Sequence, residues 1–168
     1  MKLRALFLSF IVPLAVQAQQ VGISVGDQWH ELKAQQTQSE LRPGWKIVDV
    51  QTKSKLTHYL WGSRASQLSD GRQPVFRIVP GRDETLVDYV VMPLKRCREY
   101  RKLRKPALRD NIYQRIEPPA FSIKVDEGDA FVCQPAEALA PGEYILVNIA
   151  QKPVGELGDL MVYPFSVE

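Results

Sequence analysis

Two cysteines, two histidines and three methionines are all that 168 residues hold of these types. The scarcity of cysteine and of histidine each removes a class of function. No Cys-x-x-Cys pair exists, so dithiol redox chemistry has no motif to act through. His30 and His58 show no paired spacing and no carboxylate cluster beside them, so no zinc or iron ligands are assigned. Asp126-Glu127-Gly128-Asp129 offers oxygens and a glycine but lacks the spaced ligands of a calcium loop, and it reads as a plain hairpin turn. No nucleophile elbow is read in the chain, and a triad is recognised by geometry rather than by order. Carboxylate pairs for glycoside hydrolysis can be chosen almost anywhere, which makes them unspecific. The expectation is a protein that is not an enzyme, with no catalytic residue and no cofactor.

Long apolar runs are also scarce. Ala5 to Val16 is the exception, preceded by Lys2 and Arg4, interrupted by Pro13 and followed by Val16-Gln17-Ala18. A positive start, a short apolar centre and small residues at the end make residues 1–18 a cleavable signal peptide. The run falls short of the roughly 20 residues that cross a bilayer, and no cysteine follows it to carry a lipid. The expected mature chain is a single domain, 19–168, periplasmic or secreted, with no transmembrane segment. At about 150 residues such a chain buries roughly 70% of its extended surface.

Charge of one sign is lacking as well. The chain has 22 basic and 19 acidic residues, and without Lys2 and Arg4 the balance is 20 against 19, or +1. That balance gives no general case for nucleic acid, and export argues against it. In an oxidising compartment Cys97 and Cys133 are expected to form a disulfide, a constraint worth on the order of 3–4 kcal/mol.

What is present is alternation. Val21, Ile23 and Val25 alternate with Gly22 and Ser24, and Gly26-Asp27 turns the chain into Gln28 to Leu32, predicting a hairpin. Residues 33–44 are polar and read as loop, and 63–73 as an exposed connection. Trp45 to Val50 is a short strand candidate, Lys55 to Trp61 a weaker one, and Val75 to Val79 is a strand bracketed by prolines. Leu86 to Leu94 is the longest apolar run of the domain, and Pro93 predicts an edge or bulge near its end. Phe121 to Val125 and Ala130 to Cys133 form a second predicted hairpin. Phe131 to Val147 carries Cys133, then a Pro141-Gly142 turn that launches Glu143 to Ile149 as a buried strand. Met161 to Val167 closes the series, with Pro164 again pointing to an edge. No segment keeps a 3.6-residue period beyond two turns. Eight or nine short strands with turn signals between them predict an all-β fold, either a sandwich or a small barrel, and the expectation adopted is a single β-sandwich, Ig-like or related.

These elements carry a resemblance. Gly22-Ile23-x-Val25 with Trp29 and Glu31-Leu32 comes first, then Pro74 to Phe76, then Leu86-x-x-x-Val90-Val91-x-x-Leu94 running into Arg98-Glu99-Tyr100-Arg101. Leu139 to Tyr144 and Val162-Tyr163-x-Phe165-x-Val167 complete the order. The chain resembles a loose group of uncharacterised secreted bacterial β-sandwich proteins with a Pro-Gly-Glu-Tyr strand before a final Tyr-x-Phe strand. The resemblance implies a fold and an exported location, and it assigns no catalytic residue. Tyr163-Pro164-Phe165 and the two cysteines depart from that pattern.

One local bias stands out. Lys95, Arg96, Arg98, Arg101, Lys102, Arg104 and Lys105 lie within eleven positions that hold Glu99 as the only acid, and Arg109 and Arg115 extend the run. Such a stretch suits an anionic partner, whether lipid headgroups, acidic polysaccharide or an acidic protein surface, and Tyr100 and Tyr113 can stack within it. It equally suits a solvated edge that repels other chains. Trp29, Trp45 and Trp61 raise a carbohydrate-binding alternative, although tryptophan in small β-domains is more often packing. A hydrolase with a site built from 33–44 and 63–73 is the remaining alternative. The expected function is binding or structural interaction at the cell envelope.

Overall fold

A computed structural model describes residues 20–42, 46–47, 50–51, 55–69, 71–81, 85, 88–103, 121–125, 130–151, 154–155 and 158–168. The predicted signal peptide, the turn at 126–129, Trp45, Arg104, Lys105, Arg109, Tyr113 and Arg115 lie outside the described residues. Within them the protein is all-β, with no helix. The strands run β1 (Gln20–Val25), β2 (Gln28–Glu31), β3 (Gln35–Gln36), β4 (Gln38–Arg42), β5 (Lys46–Ile47), β6 (Val50–Gln51) and β7 (Lys55–Trp61). They continue with β8 (Phe76–Val79), β9 (Tyr89–Arg96), β10 (Tyr100–Leu103), β11 (Phe121–Val125), β12 (Phe131–Pro135), β13 (Gly142–Asn148) and β14 (Met161–Val167). A five-stranded sheet has the order β11-β12-β8-β1-β2, a seven-stranded sheet the order β3-β14-β13-β9-β10-β7-β4, and β5 pairs with β6 alone. Every strand pairing is antiparallel.

Alternation explains the first sheet. Val21 and Ile23 on β1 and Phe76 and Ile78 on β8 are buried on one face, while their neighbours on the strand are more open. That face meets Tyr89, Val91, Tyr144, Leu146, Tyr163 and Phe165 of the second sheet in a shared core. The Phe76 and Phe165 rings lie 5.2 Å apart edge to face across it, and Tyr144 stacks on Phe165 at 5.7 Å.

The centre of the second sheet, along β13, β14 and the first half of β9, is buried on both faces. Its alternate residues Val90, Met92, Leu94, Ile145, Val147 and Val162 form a separate apolar cluster with Leu60, Leu103 and Leu160. A strand covered on both sides loses its polar alternation, which is why Tyr144 to Val147 reads as an unbroken apolar run. The cover for the second face is the sheet itself. Its two outermost strands, β3 and β4, are consecutive in the chain and separated only by Thr37. The Thr37 amide donates to the Leu160 carbonyl at 2.8 Å, and the Leu160 amide donates to Thr37 Oγ1 at 2.8 Å. The seven strands thus curl into a nearly closed barrel, and the second cluster fills its lumen.

Several expectations change. Residues 33–44, read as loop, contain β3 and β4, because backbone pairing to β14 and β7 needs no apolar pattern. Pro93 was expected at an edge or bulge, and β9 lies between β13 and β10. Its described pairing with β10 ends at Leu94, so one flank of Pro93 has no described strand. Pro164 was expected at an edge or bulge, yet β14 lies between β3 and β13; β3 reaches only Met161 and Val162, the 67–69 segment takes over at Ser166, and the proline occupies the gap between these two partners. Both predicted hairpins form, β1 with β2 and β11 with β12.

The expected Cys97–Cys133 disulfide is not formed; both cysteines are free. Cys133 points from β12 into the shared core, whereas Cys97 follows β9 on the other sheet with its Sγ 3.9 Å from the Lys95 carbonyl. Burial pushes the Cys133 thiol up to about 12, so little thiolate exists there at neutral pH. Iodoacetamide should therefore modify Cys97 alone in the native protein and both cysteines after denaturation. A native protein with no reactive thiol and a mass lower by two hydrogens would restore the bridge.

Candidate functional site

Strand geometry sorts the basic run into two sets. Across β9 and β10, Lys95 faces Lys102 and Arg96 faces Arg101. Successive side chains of a strand point to opposite faces, and Leu94 and Leu103 of these strands lie in the barrel lumen. Arg96 and Arg101, two residues from each, share the lumenal face, and Lys95 and Lys102 point outward. Like charges placed directly opposite are destabilising, so both pairs concentrate positive charge at a cost to the sheet.

The outward set gains aromatic neighbours from β7. Tyr59 is paired with Lys102 and Trp61 with Tyr100. Tyr59 lies 5.9 Å from Trp61 at 88° and 5.9 Å from Tyr100 at 59°. Trp61 is 59% exposed, and its Nε1 donates to Gln38 Oε1 at 2.8 Å. The five-stranded sheet covers the barrel wall over Tyr89, Val91, Tyr144, Leu146 and Phe165. The wall lies open at exposed Lys95 and exposed Trp61, with Arg98 exposed in the turn between β9 and β10. Lys95, Lys102, Tyr59, Trp61 and Tyr100 thus form one aromatic and basic surface.

Arg101 does not belong to that surface. It is 1% exposed, its Nε donates to the Gly62 carbonyl at 3.0 Å and its Nη2 to the Trp61 carbonyl at 3.3 Å. Its Nη1 lies 3.6 Å from Glu143 Oε2. Glu143 in turn accepts from Ser166 Oγ at 2.9 Å and from the Ala65 amide at 2.8 Å. Burial pulls the Arg101 guanidinium down from its ordinary value and the Glu143 charge opposes that pull. The sequence missed this internal pair. The signal was the two-residue spacing from Arg101 to Leu103, which puts the charge on a core-facing parity.

The other end of the lumen holds His58, also 1% exposed. Its Nδ1 lies 2.7 Å from Ser39 Oγ, while its Nε2 and Asp159 Oδ1 have no hydrogen-bond partner. Burial pulls the imidazole below 6.5, and the Asp159 charge opposes this. The unfolded chain then binds the proton more readily than the folded one, so stability is complete above about pH 6.5 and falls with acid. Urea midpoints from about pH 8 to about pH 5 should decline, and His58→Leu should flatten that decline. A serine beside a histidine is the contact a hydrolase needs, but both side chains belong to the barrel's own strands and neither of the two cavities described below is lined by them.

Gly22-Ile23-Ser24-Val25-Gly26 does spell the nucleophile-elbow spacing, which the sequence reading passed over. The structure places Ser24 on β1 of a hairpin, with its hydroxyl donating to the Gly26 carbonyl at 3.0 Å and no helix following. Gly26 is there for the turn, at a φ of 60°. Trp29, 47% exposed, lines a groove of about 220 Å³ with Arg77 and His30 on the five-stranded sheet, apart from Trp61 on the barrel. At the barrel mouth, beside Glu143, lies a cavity of about 450 Å³. Comparisons of the chain with protein-family models, curated proteins and solved structures find no match.

Proposed function

We propose that this is an exported, non-catalytic binding protein of the periplasm or cell exterior, which engages an anionic envelope component through the open wall of β9, β10 and β7. The observation that carries this is the convergence of Lys95 and Lys102 with Tyr59, Trp61 and Tyr100 on one face. Lysines supply attraction to phosphate, carboxylate or sulfate, and the rings supply stacking or interfacial contact. Edge protection by charge is a weaker account, because β9 and β10 are paired on both sides. The architecture that accompanies this function is a single β-sandwich related to the secreted group it resembles, supported by the core the two sheets share. A tryptophan platform for neutral sugars is disfavoured, since Trp61 stands at 88° to Tyr59 and Trp29 is on the other sheet.

Retention on heparin and on vesicles rich in anionic lipid tests the proposal and separates the two sources. Lys95→Ser with Lys102→Ser should weaken whichever interaction exists by about 2 kcal/mol, roughly thirtyfold. Trp61→Ala should weaken it further, while Arg72→Ser, in the segment before β8 that bonds to Leu139, leaves it unchanged. Retention on both supports that ignores the lysine changes would end the proposal.

A further inference from the structure

We infer that the mouth of the barrel is a second, separate site, one that takes a small organic anion with a short apolar body. The cavity there has a volume of about 450 Å³, within the range of small-molecule pockets, and barrel mouths are where such pockets recur. Leu68, Leu94 and Val167 supply an apolar wall. Arg64 from the segment after β7 and Arg96 from the end of β9 reach it from different elements. Among the described residues neither guanidinium has a hydrogen bond or ion pair.

The floor explains the sign of the ligand. Glu143 lines the cavity, but its charge is already answered by Arg101, Ser166 and the Ala65 amide. Beneath it Arg101 keeps its Nη1 without a hydrogen bond while buried to 1% exposure. Arg96 sits directly opposite Arg101 across β9 and β10, on the same lumenal face. Two guanidinium groups placed so repel each other unless an anion lies between or beside them. Glu143 neutralises one of the three arginines around the mouth. Arg64 and Arg96 remain, against the Glu168 side chain on the rim. The planar fork of arginine matches carboxylate and phosphate alike. The common chemistry is therefore a terminal carboxylate or phosphate anchored by Arg64 and Arg96, with its carbon chain against Leu68 and Leu94.

Calorimetric titration of the full chain with hexanoate, butyl phosphate and the neutral hexanamide tests this and tells carboxylate from phosphate. Saturable binding of at least one anion and much weaker binding of hexanamide are expected. Arg64→Gln and Arg96→Gln, both exposed positions, should each weaken it by about tenfold or more, and Lys95→Ser with Lys102→Ser should leave it intact. Hexanamide binding as tightly as the anions, anion affinity unmoved by both arginine changes, or no saturable binding of either anion would overturn the site. Because the lysine pair affects only the outer wall, failure here and failure of heparin or vesicle retention are told apart.

Discussion

Glu143→Ala is expected to cost about 3–5 kcal/mol of folding stability, the range for removing one partner of a buried ion pair. The loss arises because Arg101, 1% exposed, keeps its charge with only two backbone carbonyls left to answer it. The change also strips the buried Ser166 hydroxyl and the half-buried Ala65 amide of their acceptor, and the orphaned hydroxyl carries its own penalty. For a chain of this size the melting temperature should fall on the order of 10 °C. Arg101→Met combined with Glu143→Leu should recover much of the loss, since apolar replacement of a whole buried pair is often neutral. A urea titration of the three variants decides it: Glu143→Ala within about 1 kcal/mol of the parent would show that the pair is solvated rather than internal.

Phe165→Ala should cost a similar amount, about 3–5 kcal/mol, by a different route. Phe165 is fully buried and touches rings from both sheets, Phe76 at 5.2 Å and Tyr144 at 5.7 Å. Deleting the ring removes transfer energy and leaves a void between two sheets held apart by the remaining side chains, which limits collapse. Phe165→Leu keeps more of the volume and should lose less. Denaturant midpoints for the pair check this, and equal losses would mean the sheets close over the gap. Neither change should alter hexanoate or butyl phosphate affinity once the variants are folded, because neither removes Arg64 or Arg96.

Much of the strand framework was legible because it rests on local rules. Val21 and Ile23 alternate with Gly22 and Ser24, Gly26 permits the turn, and β1 pairs with β2 as those features predict. The Pro141-Gly142 turn and the apolar run after it mark β13, whose burial follows from having sheet on one side and lumen on the other. The polar strands β3 and β4 were not legible, since Gln35 to Arg42 enter the sheet through backbone hydrogen bonds that any residue can make. The basic run was visible as composition but not as geometry.

Composition and period therefore determined by themselves that this chain is all-β, where its two clearest hairpins lie, and that positive charge gathers at Lys95 to Lys102. Tertiary structure alone decided that the seven-stranded sheet curls until β3 and β4 meet at Thr37, and that Arg96 and Arg101 turn into the lumen while Lys95 and Lys102 turn out. It also decided that Cys97 and Cys133 stay apart. The reason is one of range. Alternation fixes which residues share a face, but which face becomes interior depends on the curl of the whole sheet and on partners more than a hundred positions away, as Thr37 is from Leu160.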